Sequence, residues 1–369
     1  MIKVCKKCLT FENYRNKFNR DNICSACIFF EKKKNINWYL RAKEFEKIFV
    51  KKKNQFDCLI PVSGGKDSTY QVYKAKLFGL KPLCLYVDTG HLSNIGKINI
   101  ENIKKFNVDF IHFKIEKKIS DILTKIGLIE VGDIEWLENV AINTVALWIA
   151  IKFKINKILW GENSQSEYGG PKNMQNSKVM FHNHWFLKFG GTLDLNINKV
   201  KKKYKIDHPI FKYLQYPKIE KIRNIKGYFL GYFFKWDAFE NYKIAIKNGF
   251  QPYNERVSGA ILNYENIDNY LSGIHDYFRF LKTGMGRTHD QVSRLIRKKK
   301  ISIEKGKKLI KKYDGEFPYE YTGIKIEKIL KEIDISKKLF NEICFNFTNE
   351  KFFVKEKILF GKAPKKINF

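Results

Sequence analysis

Residues 63–68, with the sequence Ser-Gly-Gly-Lys-Asp-Ser, have the residue types of a phosphate-binding turn. They follow an apolar run at 56–62 that is typical of a buried parallel strand, and they precede a segment at 70–78 with apolar residues at helical spacing. The backbone N–H groups of such a turn attract an anion, and Gly64 and Gly65 let the backbone approach it closely. The sequence therefore predicts a strand, a phosphate-binding loop and a helix.

Three other interpretations of this loop compete with that prediction. A Walker A loop needs four residues between its first glycine and Gly-Lys-Ser/Thr, a spacing that residues 61–69 lack. A serine acyl-enzyme would use Ser63 and Lys66 as an S-x-x-K pair with the KTG at 282–284, but no S-D-N element accompanies them. In the third interpretation the glycines form a turn that binds no ligand.

Four cysteines near the N-terminus have the spacing of a metal site. Cys5 and Cys8 form one C-x2-C pair, Cys24 and Cys27 form a second, and 15 residues separate the two pairs. This is the zinc-ribbon pattern, in which four thiolates complete a tetrahedron and leave no position for a catalytic water. We therefore predict a structural Zn²⁺. Disulfide bonds are the alternative, and contact of the ribbon with RNA or DNA stays open.

Two further apolar runs end in residues that would lie beside the loop. These residues are Asp88, Thr89 and Gly90 after the first run and Gly161, Glu162 and Asn163 after the second. Ligands of open parallel sheets bind beyond the carboxyl ends of the strands, so the three ends are expected to face one crevice. From about residue 240 the pattern becomes helical, with helix ends predicted at Gly249 and Gly284. The sequence thus predicts an α/β fold with a mostly helical C-terminal region.

The composition limits the partners of the chain. Its 369 residues are 44% hydrophobic, which suffices for a substantial core, and they carry a formal charge of +32. Nearly all of the excess is lysine, which indicates a solvated surface more than a nucleic-acid-binding face, and a phosphorylated small substrate is also compatible with it. No run approaches the roughly 20 apolar residues that cross a bilayer, and the N-terminus lacks the apolar centre of a secretion signal. A cytoplasmic protein without membrane or nucleic-acid partners is expected.

The six residues at 63–68 resemble the pyrophosphate-binding PP-loop of the ATP pyrophosphatase superfamily, whose members cleave ATP between its α and β phosphates. The resemblance implies that Ser63, Ser68 and the loop amides hold pyrophosphate. It makes Lys66 and Asp67 the catalytic candidates, because Lys66 would offset the pyrophosphate charge and Asp67 would place Mg²⁺. Residues 88–90 would contact adenosine, and residues 161–163 would complete the ATP site.

A more extensive resemblance covers nearly the whole chain. Together with the cysteines and the PP-loop, the segments 161–173 and 231–302 resemble the N-acetyl sugar amidotransferases of the WbpG/PseA type. These enzymes convert an N-acetyl group on an activated bacterial surface sugar into an acetamidino group. The resemblance implies a zinc ribbon at 1–35, a PP-loop ATP pyrophosphatase domain (adenine nucleotide alpha hydrolase-like) at 36–225, and a mostly helical substrate or oligomerisation domain at 226–369.

An acetamidino product requires ammonia, and no cysteine has the context of a glutaminase nucleophile. Cys58 and Cys84 lie within apolar strand patterns and are predicted to be core residues, and Cys344 has no recognisable context. A separate glutaminase is therefore expected. The resemblance points to partners similar to the two subunits of imidazole glycerol phosphate synthase, and a homo-oligomer is left open.

Arginine is rare in the chain, and five of its nine positions lie between residues 256 and 297. Because guanidinium groups bind phosphate or carboxylate in a bidentate manner, these arginines suggest a substrate site. The predicted substrate-binding residues are Arg256, His275, Arg279 and Arg287. The alternative is that the arginines pair with Asp276, Asp290 and Glu255. Further histidines with a possible role in proton transfer are His182, His184 and His289.

Two other functions are compatible with the sequence. A PP-loop enzyme that thiolates tRNA would also combine a zinc ribbon, the loop and positive charge. Such enzymes commonly carry additional active-site cysteines, whereas Cys58 and Cys84 are predicted to be buried. A non-catalytic nucleotide- or RNA-binding module would bind ATP without turnover.

Overall fold

The computed structural model describes residues 2–13, 16–50, 55–180, 194–354, 356 and 358–367. Within these residues, six strands form one sheet in the order β3-β2-β1-β4-β6-β5. All neighbouring pairs are parallel except β5 and β6, which are antiparallel. The strands are β1 (Cys58–Pro61), β2 (Pro82–Asp88), β3 (Asp109–Lys114), β4 (Lys157–Trp160), β5 (Val179–Met180) and β6 (Lys226–Phe229).

Helices connect the strands and cover both faces of the sheet. In the described residues before β6 they are α1 (Ser25–Lys32), α2 (Trp38–Phe49), α3 (Lys66–Leu77), α4 (Asn94–Lys104), α5 (Lys117–Val131), α6 (Trp136–Lys152), α7 (Ser164–Tyr168), α8 (Lys172–Gln175), α9 (Ile197–Tyr204) and α10 (Ile219–Ile222). Parallel strands with helical crossovers give a doubly wound α/β architecture. The strand, turn and helix predicted around residues 63–68 are confirmed as β1, its loop and α3.

The two faces of the sheet build two separate cores. On one face, β1 and β2 pack against α5 and α6, where Trp136 and Leu137 are fully buried. On the other face, Phe45 and Phe49 of α2 pack with residues of α3, β4 and β6. All four residues of β1 are buried, which explains why its sequence is continuously apolar rather than alternating. Cys58 and Cys84 are inaccessible within these cores, as predicted.

The chain after β6 is mostly helical, as expected. Its helices are α11 (Leu230–Phe233), α12 (Ala238–Lys247), α13 (Ser272–Thr283), α14 (Arg287–Arg297), α15 (Ile303–Tyr313), α16 (Ile326–Glu332) and α17 (Lys337–Phe347), with a short hairpin of β7 (Glu320–Tyr321) and β8 (Ile324–Lys325). Gly249 follows α12 with φ +87°, and Gly284 caps α13 with φ +69°, so both predicted helix ends are confirmed. The α/β class, the mainly parallel sheet and the helical C-terminal region are thus established.

Two further details concern the C-terminal region. The expected boundary between residues 225 and 226 falls directly before β6, which pairs with β4 along its whole length, so the sheet continues into the C-terminal region. The described part of the C-terminal tail forms turns and a single bridge between Phe353 and Lys366.

No single helix in the described residues has the length and apolar composition needed to cross a membrane. The pair α5 and α6, which meet at an angle of 116°, pass that test only when they are taken together.

Candidate active site

The loop between β1 and α3 is a cradle of backbone and hydroxyl groups. The Ser63 amide donates a hydrogen bond to Ser68 Oγ at 3.0 Å, and the Gly65 amide donates to Ser63 Oγ at 3.3 Å. Gly64 has a φ of +86°, and a Cβ at this position would lie 3.0 Å from the carbonyl oxygen of Gly96. A side chain at position 64 would strain the backbone and push the loop away from α4, so the site requires glycine.

Lys66 begins α3, and its ammonium group lies between two carboxylates. Its Nζ is 2.7 Å from Asp67 Oδ2 and 3.7 Å from Glu265 Oε1, and the residue is only 5% exposed. Burial opposes the charge of Lys66, but Asp67 and Glu265 together hold its pKa above the ordinary value. Lys66 is therefore positively charged at neutral pH, as a group that offsets phosphate charge must be.

The residues after β2 form the next part of this edge. Asp88 accepts a hydrogen bond from the Gly90 amide at 2.8 Å and pairs with His112 at 2.7 Å. The hydroxyl of Thr89 donates to Glu138 Oε1 at 2.8 Å. The side chains of Asp88 and Thr89 are thus already engaged within the chain, and Gly90 forms a turn with φ +85°. Nucleotide contact by residues 88–90 stays a prediction.

The residues after β4 have different roles from one another. Asn163 caps α7 by accepting from the Gln165 amide at 3.0 Å, and its Nδ2 donates to the Met174 carbonyl at 2.7 Å, so its side chain is structural. Burial, followed by the charge of Asp67, raises the pKa of Glu162 to about 7. The charge of Asp67 thus acts on Glu162 across the carboxyl ends of β1 and β4. Gly161 is packed against Gln71 and Trp236.

The C-terminal region supplies residues whose contacts with the loop the sequence did not predict. Asn241 Nδ2 donates to Asp67 Oδ1 at 3.2 Å, and Glu265 faces Lys66. Asp268 faces Ser63, and burial raises the Asp268 pKa although Ser63 partly offsets the rise. The backbone of residues 267–270 pairs with residues 91–93 through hydrogen bonds such as Ser93 N–H to Asp268 O at 2.8 Å. Single carboxylates in an irregular segment belong to no periodic pattern in the sequence. Only the fold shows that they contact the loop.

Helices α13 and α14 face each other through paired charges. Arg287 makes a bidentate pair with Asp276, with distances of 2.9 and 2.8 Å, and Arg279 pairs with Asp290 at 2.5 Å. Arg256 pairs with Glu316 at 2.6 Å rather than with Glu255. Arg279 and Arg287 therefore pair with carboxylates in this structure, which is the alternative that the sequence left open. Substrate binding by the three arginines stays a prediction.

His275 of α13 belongs to a partly buried polar group with Asp133 and Glu135. Its Nδ1 lies 2.7 Å from Asp133 Oδ1 and 3.6 Å from Glu135 Oε2, and Glu135 also accepts from the Ser272 hydroxyl. Burial opposes protonation of the imidazole, but Asp133 and then Glu135 raise its pKa to about 9. Burial is the main cause that raises the pKa of Glu135 to about 7. The group thus holds two protons that titrate between neutral and mildly alkaline pH.

The free energy of unfolding is expected to fall as the pH rises through the His275 titration. The folded-state pKa of His275 is about 9 and its ordinary value is 6.5, so its stabilisation is complete below about pH 6.5 and is lost as the pH passes 9. The full effect is about 3 kcal/mol. Urea unfolding of wild type and His275→Gln between pH 6 and 10 measures it, and an equal slope in both proteins would contradict it. In Asp133→Asn, NMR should show the His275 pKa moved towards 6.5.

The other predicted histidines differ in position. His289 is buried, and its Nε2 lies 2.8 Å from the Leu9 carbonyl, where it joins α14 to the N-terminal module. This contact gives it a structural role. His182 and His184 lie outside the described residues.

The four N-terminal cysteines converge on one point. Their sulfur atoms all lie within 4.8 Å of one another and all four residues are buried. The distances from Cys5 Sγ to Cys27 Sγ and from Cys8 Sγ to Cys24 Sγ are 3.9 and 3.6 Å. Four sulfurs at the usual Zn–S distance on a tetrahedron are about 3.8 Å apart, so this donor set fits Zn²⁺. Arg297 Nη1 lies 3.8 Å from Cys8 Sγ, which places a positive charge beside the thiolates.

The N-terminal module that carries the four cysteines also contacts the segment that follows β4. Arg297 Nη2 donates to the Glu167 carbonyl at 2.9 Å, the Gly170 amide donates to Ser25 Oγ at 3.2 Å, and Gln175 Nε2 donates to the Ser25 carbonyl at 3.2 Å. The module therefore packs against α7 and α8, which begin at the end of β4. A metal at the four cysteines would position this side of the crevice and take no part in bond breaking.

Comparison with known proteins gives a family for the C-terminal region. The chain is similar in structure to an NMN synthetase from Francisella tularensis, with 12% identity, a TM-score of 0.28, and coverage of 58% of this chain and 94% of the synthetase. No curated protein matches the chain. Residues 227–365 match the family described as LPS biosynthesis protein WbpG-like, C-terminal domain. This region of the chain, which includes α13, α14 and Glu265, is therefore similar to the WbpG-like family, in agreement with the resemblance found in the sequence.

Proposed function

We propose that the chain is an ATP-dependent amidotransferase that converts the N-acetyl group of a nucleotide-activated sugar into an acetamidino group. One observation carries the proposal. A loop with the features of a PP-loop is closed by Asn241 and Glu265, which belong to the WbpG-like region, so the nucleotide loop and the family domain build a single site. The WbpG-like family supports a sugar-modifying enzyme, and the loop supports the use of ATP.

The proposed reaction activates an oxygen that is otherwise a poor leaving group. The amide oxygen of the substrate attacks the α-phosphate of ATP, the bond to the β-phosphate breaks, and pyrophosphate leaves into the loop. Ammonia then adds to the carbon of the adenylated amide, loses protons, and expels AMP to leave the amidine. The hydroxyls of Ser63 and Ser68, the loop amides and the ammonium of Lys66 would stabilise the departing pyrophosphate. Asp67 would hold Mg²⁺, which supplies further charge stabilisation when it is bound.

The polar group around His275 is suited to the proton steps of this reaction. The addition of ammonia releases protons, and an acceptor works best when its pKa lies near the working pH. Glu135, with a pKa of about 7, meets that condition. Arg287 uses Nε and Nη2 for Asp276, so its remaining nitrogen, Nη1, is the atom that a substrate phosphate or carboxylate would engage without breaking the pair.

Ammonia would come from a separate glutaminase, similar to the subunits of imidazole glycerol phosphate synthase. All seven cysteines are buried. Burial raises the thiol pKa of Cys84 to about 12, and it also raises the thiol pKa of Cys58 and of Cys344. All three pKa values lie above the range of a reactive thiolate. These features support an outside source of ammonia. They also disfavour the tRNA-thiolating alternative. The product would enter lipopolysaccharide or flagellar glycan synthesis in the cytoplasm, and a homo-oligomer remains a prediction.

The function is tested by following both the nucleotide and the sugar. The purified chain with Mg·ATP, ammonium and a panel of UDP- and CMP-linked N-acetyl sugars is expected to release AMP and pyrophosphate with one class of sugar. Mass spectrometry should detect replacement of one oxygen by NH in that sugar. Release of ADP and phosphate, or thiolated tRNA from a sulfur donor, would contradict the proposal, and ATP that stays intact with every sugar would indicate a binding module.

A further inference from the structure

The ammonium of Lys66 occupies a cation position between Asp67 and Glu265. Each of these carboxylates turns one oxygen towards Nζ, with distances of 2.7 Å for Asp67 Oδ2 and 3.7 Å for Glu265 Oε1. The first distance is a charge-assisted hydrogen bond and the second is too long for a hydrogen bond. Lys66 is thus firmly bound by Asp67 and only attracted by Glu265.

Glu265 has one oxygen that accepts hydrogen bonds and one that accepts none from the part of the chain that the structure describes. Its Oε2 pairs with Arg294 and accepts from Gln291 Nε2 at 3.1 Å, so its carboxylate plane is fixed from α14. Its Oε1 is buried and has no hydrogen-bond partner among the described residues, and the whole residue is only 6% exposed. Burial of a carboxylate oxygen that accepts no hydrogen bond costs desolvation free energy that no hydrogen bond offsets. Such an atom indicates a position where a ligand can bind.

Asp67 is arranged in the same way on the other side. Its Oδ1 accepts from Asn241 Nδ2 at 3.2 Å, which leaves Oδ2 as the oxygen that faces the cation position. Both carboxylates are therefore oriented by residues of the C-terminal region and present one oxygen each to the same cation. Mg²⁺ is commonly held by one or two carboxylates together with the phosphates of a nucleotide. The donor set therefore fits a divalent cation once Lys66 moves aside.

We propose that Glu265 is a second carboxylate ligand, beside Asp67, for the divalent cation that accompanies ATP. In the free protein, the Lys66 ammonium takes the place of that cation. With metal and nucleotide bound, Asp67 and Glu265 would hold the cation, and Lys66 would be released to offset the charge of the β and γ phosphates. This inference rests on the ATP-using part of the proposed function and is independent of the sugar that is modified.

The role of Glu265 is tested by metal binding rather than by turnover. Titration of the full-length chain with Mn²⁺ in the presence of ATP, followed by electron paramagnetic resonance, should show about tenfold or more weaker Mn²⁺ binding in Glu265→Gln. ATP binding with EDTA present should change much less. Glu327→Gln is the matched control, because Glu327 is in a pair with Lys337 on the surface and should bind Mn²⁺ like wild type.

A second pair of variants addresses the possibility that Glu265 only neutralises Lys66 and Arg294. Lys66→Met empties the cation position, so Mn²⁺ without nucleotide should bind more tightly than in wild type, and Lys66→Met with Glu265→Gln should lose this gain. Unchanged Mn²⁺ affinity in Glu265→Gln, or a gain in Lys66→Met that survives the loss of Glu265, would overturn the inference and leave the proposed function standing. Wild type that binds no Mn·ATP would overturn both.

Discussion

Asp67→Ala is expected to abolish ATP turnover and to leave the metal content of the four cysteines unchanged. Asp67 lies in the first turn of α3, where its carboxylate binds Lys66 and accepts from Asn241. Its loss removes the predicted magnesium ligand and disturbs the lysine that offsets pyrophosphate charge. Both effects act on the charge that develops on the leaving group, so the rate should fall by a factor on the order of a thousand.

The measurement is AMP release under saturating Mg·ATP, with bound zinc determined on the same samples. Asp207→Ala is a matched control, because Asp207 forms an exposed pair with Lys201 on the surface and should retain wild-type turnover. Wild-type turnover in Asp67→Ala would remove Asp67 from the magnesium role, whatever happened to the zinc.

Cys8→Ala should release the N-terminal metal and destabilise the protein by about 4 kcal/mol or more. The module has little apolar core beyond its cysteines, Ala26 and partly buried Phe18 and Ile23, so metal ligation must hold it together. Its contacts with the rest of the chain, such as Thr10 Oγ1 to Ser293 Oγ at 3.0 Å, depend on that local fold.

Zinc analysis and urea unfolding measure this effect. The control is Cys344→Ala, which removes another buried cysteine from a core formed by the C-terminal helices and should keep the full metal content. A Cys8→Ala protein with wild-type zinc and unchanged stability would show that the four cysteines do not form a structural metal site.

Local sequence patterns predicted most of the fold. The strand β1, its glycine loop and the helix α3 each depend on the types of a few neighbouring residues. They could therefore be predicted from the sequence alone. The helix ends at Gly249 and Gly284 are local in the same sense, because a left-handed residue ends a helix wherever the helix lies. The cysteine spacing also needed no tertiary information, since a tetrahedral donor set imposes it.

The parts of the site that the sequence did not predict are contacts over long separations. Glu265 meets Lys66, and Asn241 meets Asp67, from regions that follow the sheet by many residues. Their residue types are ordinary and their spacing follows no period. The arginines show the opposite case. Their scarcity suggested ligand binding, and the structure shows Arg287 and Arg279 paired with Asp276 and Asp290 of the facing helices, contacts that their scarcity did not indicate. Composition indicates which groups are present and gives no information about their partners.

The pairing of β4 with β6 and the contact of Glu265 with Lys66 determine when a nascent chain can form the complete site. The ribosome releases the phosphate loop early, but the strand that completes the sheet and the carboxylate that faces the loop emerge only after most of the polypeptide has been made. Translation must therefore pass residue 265 before a catalytically complete pocket can exist, and prematurely terminated chains would expose an unpaired β4 edge, a surface prone to association with other strands.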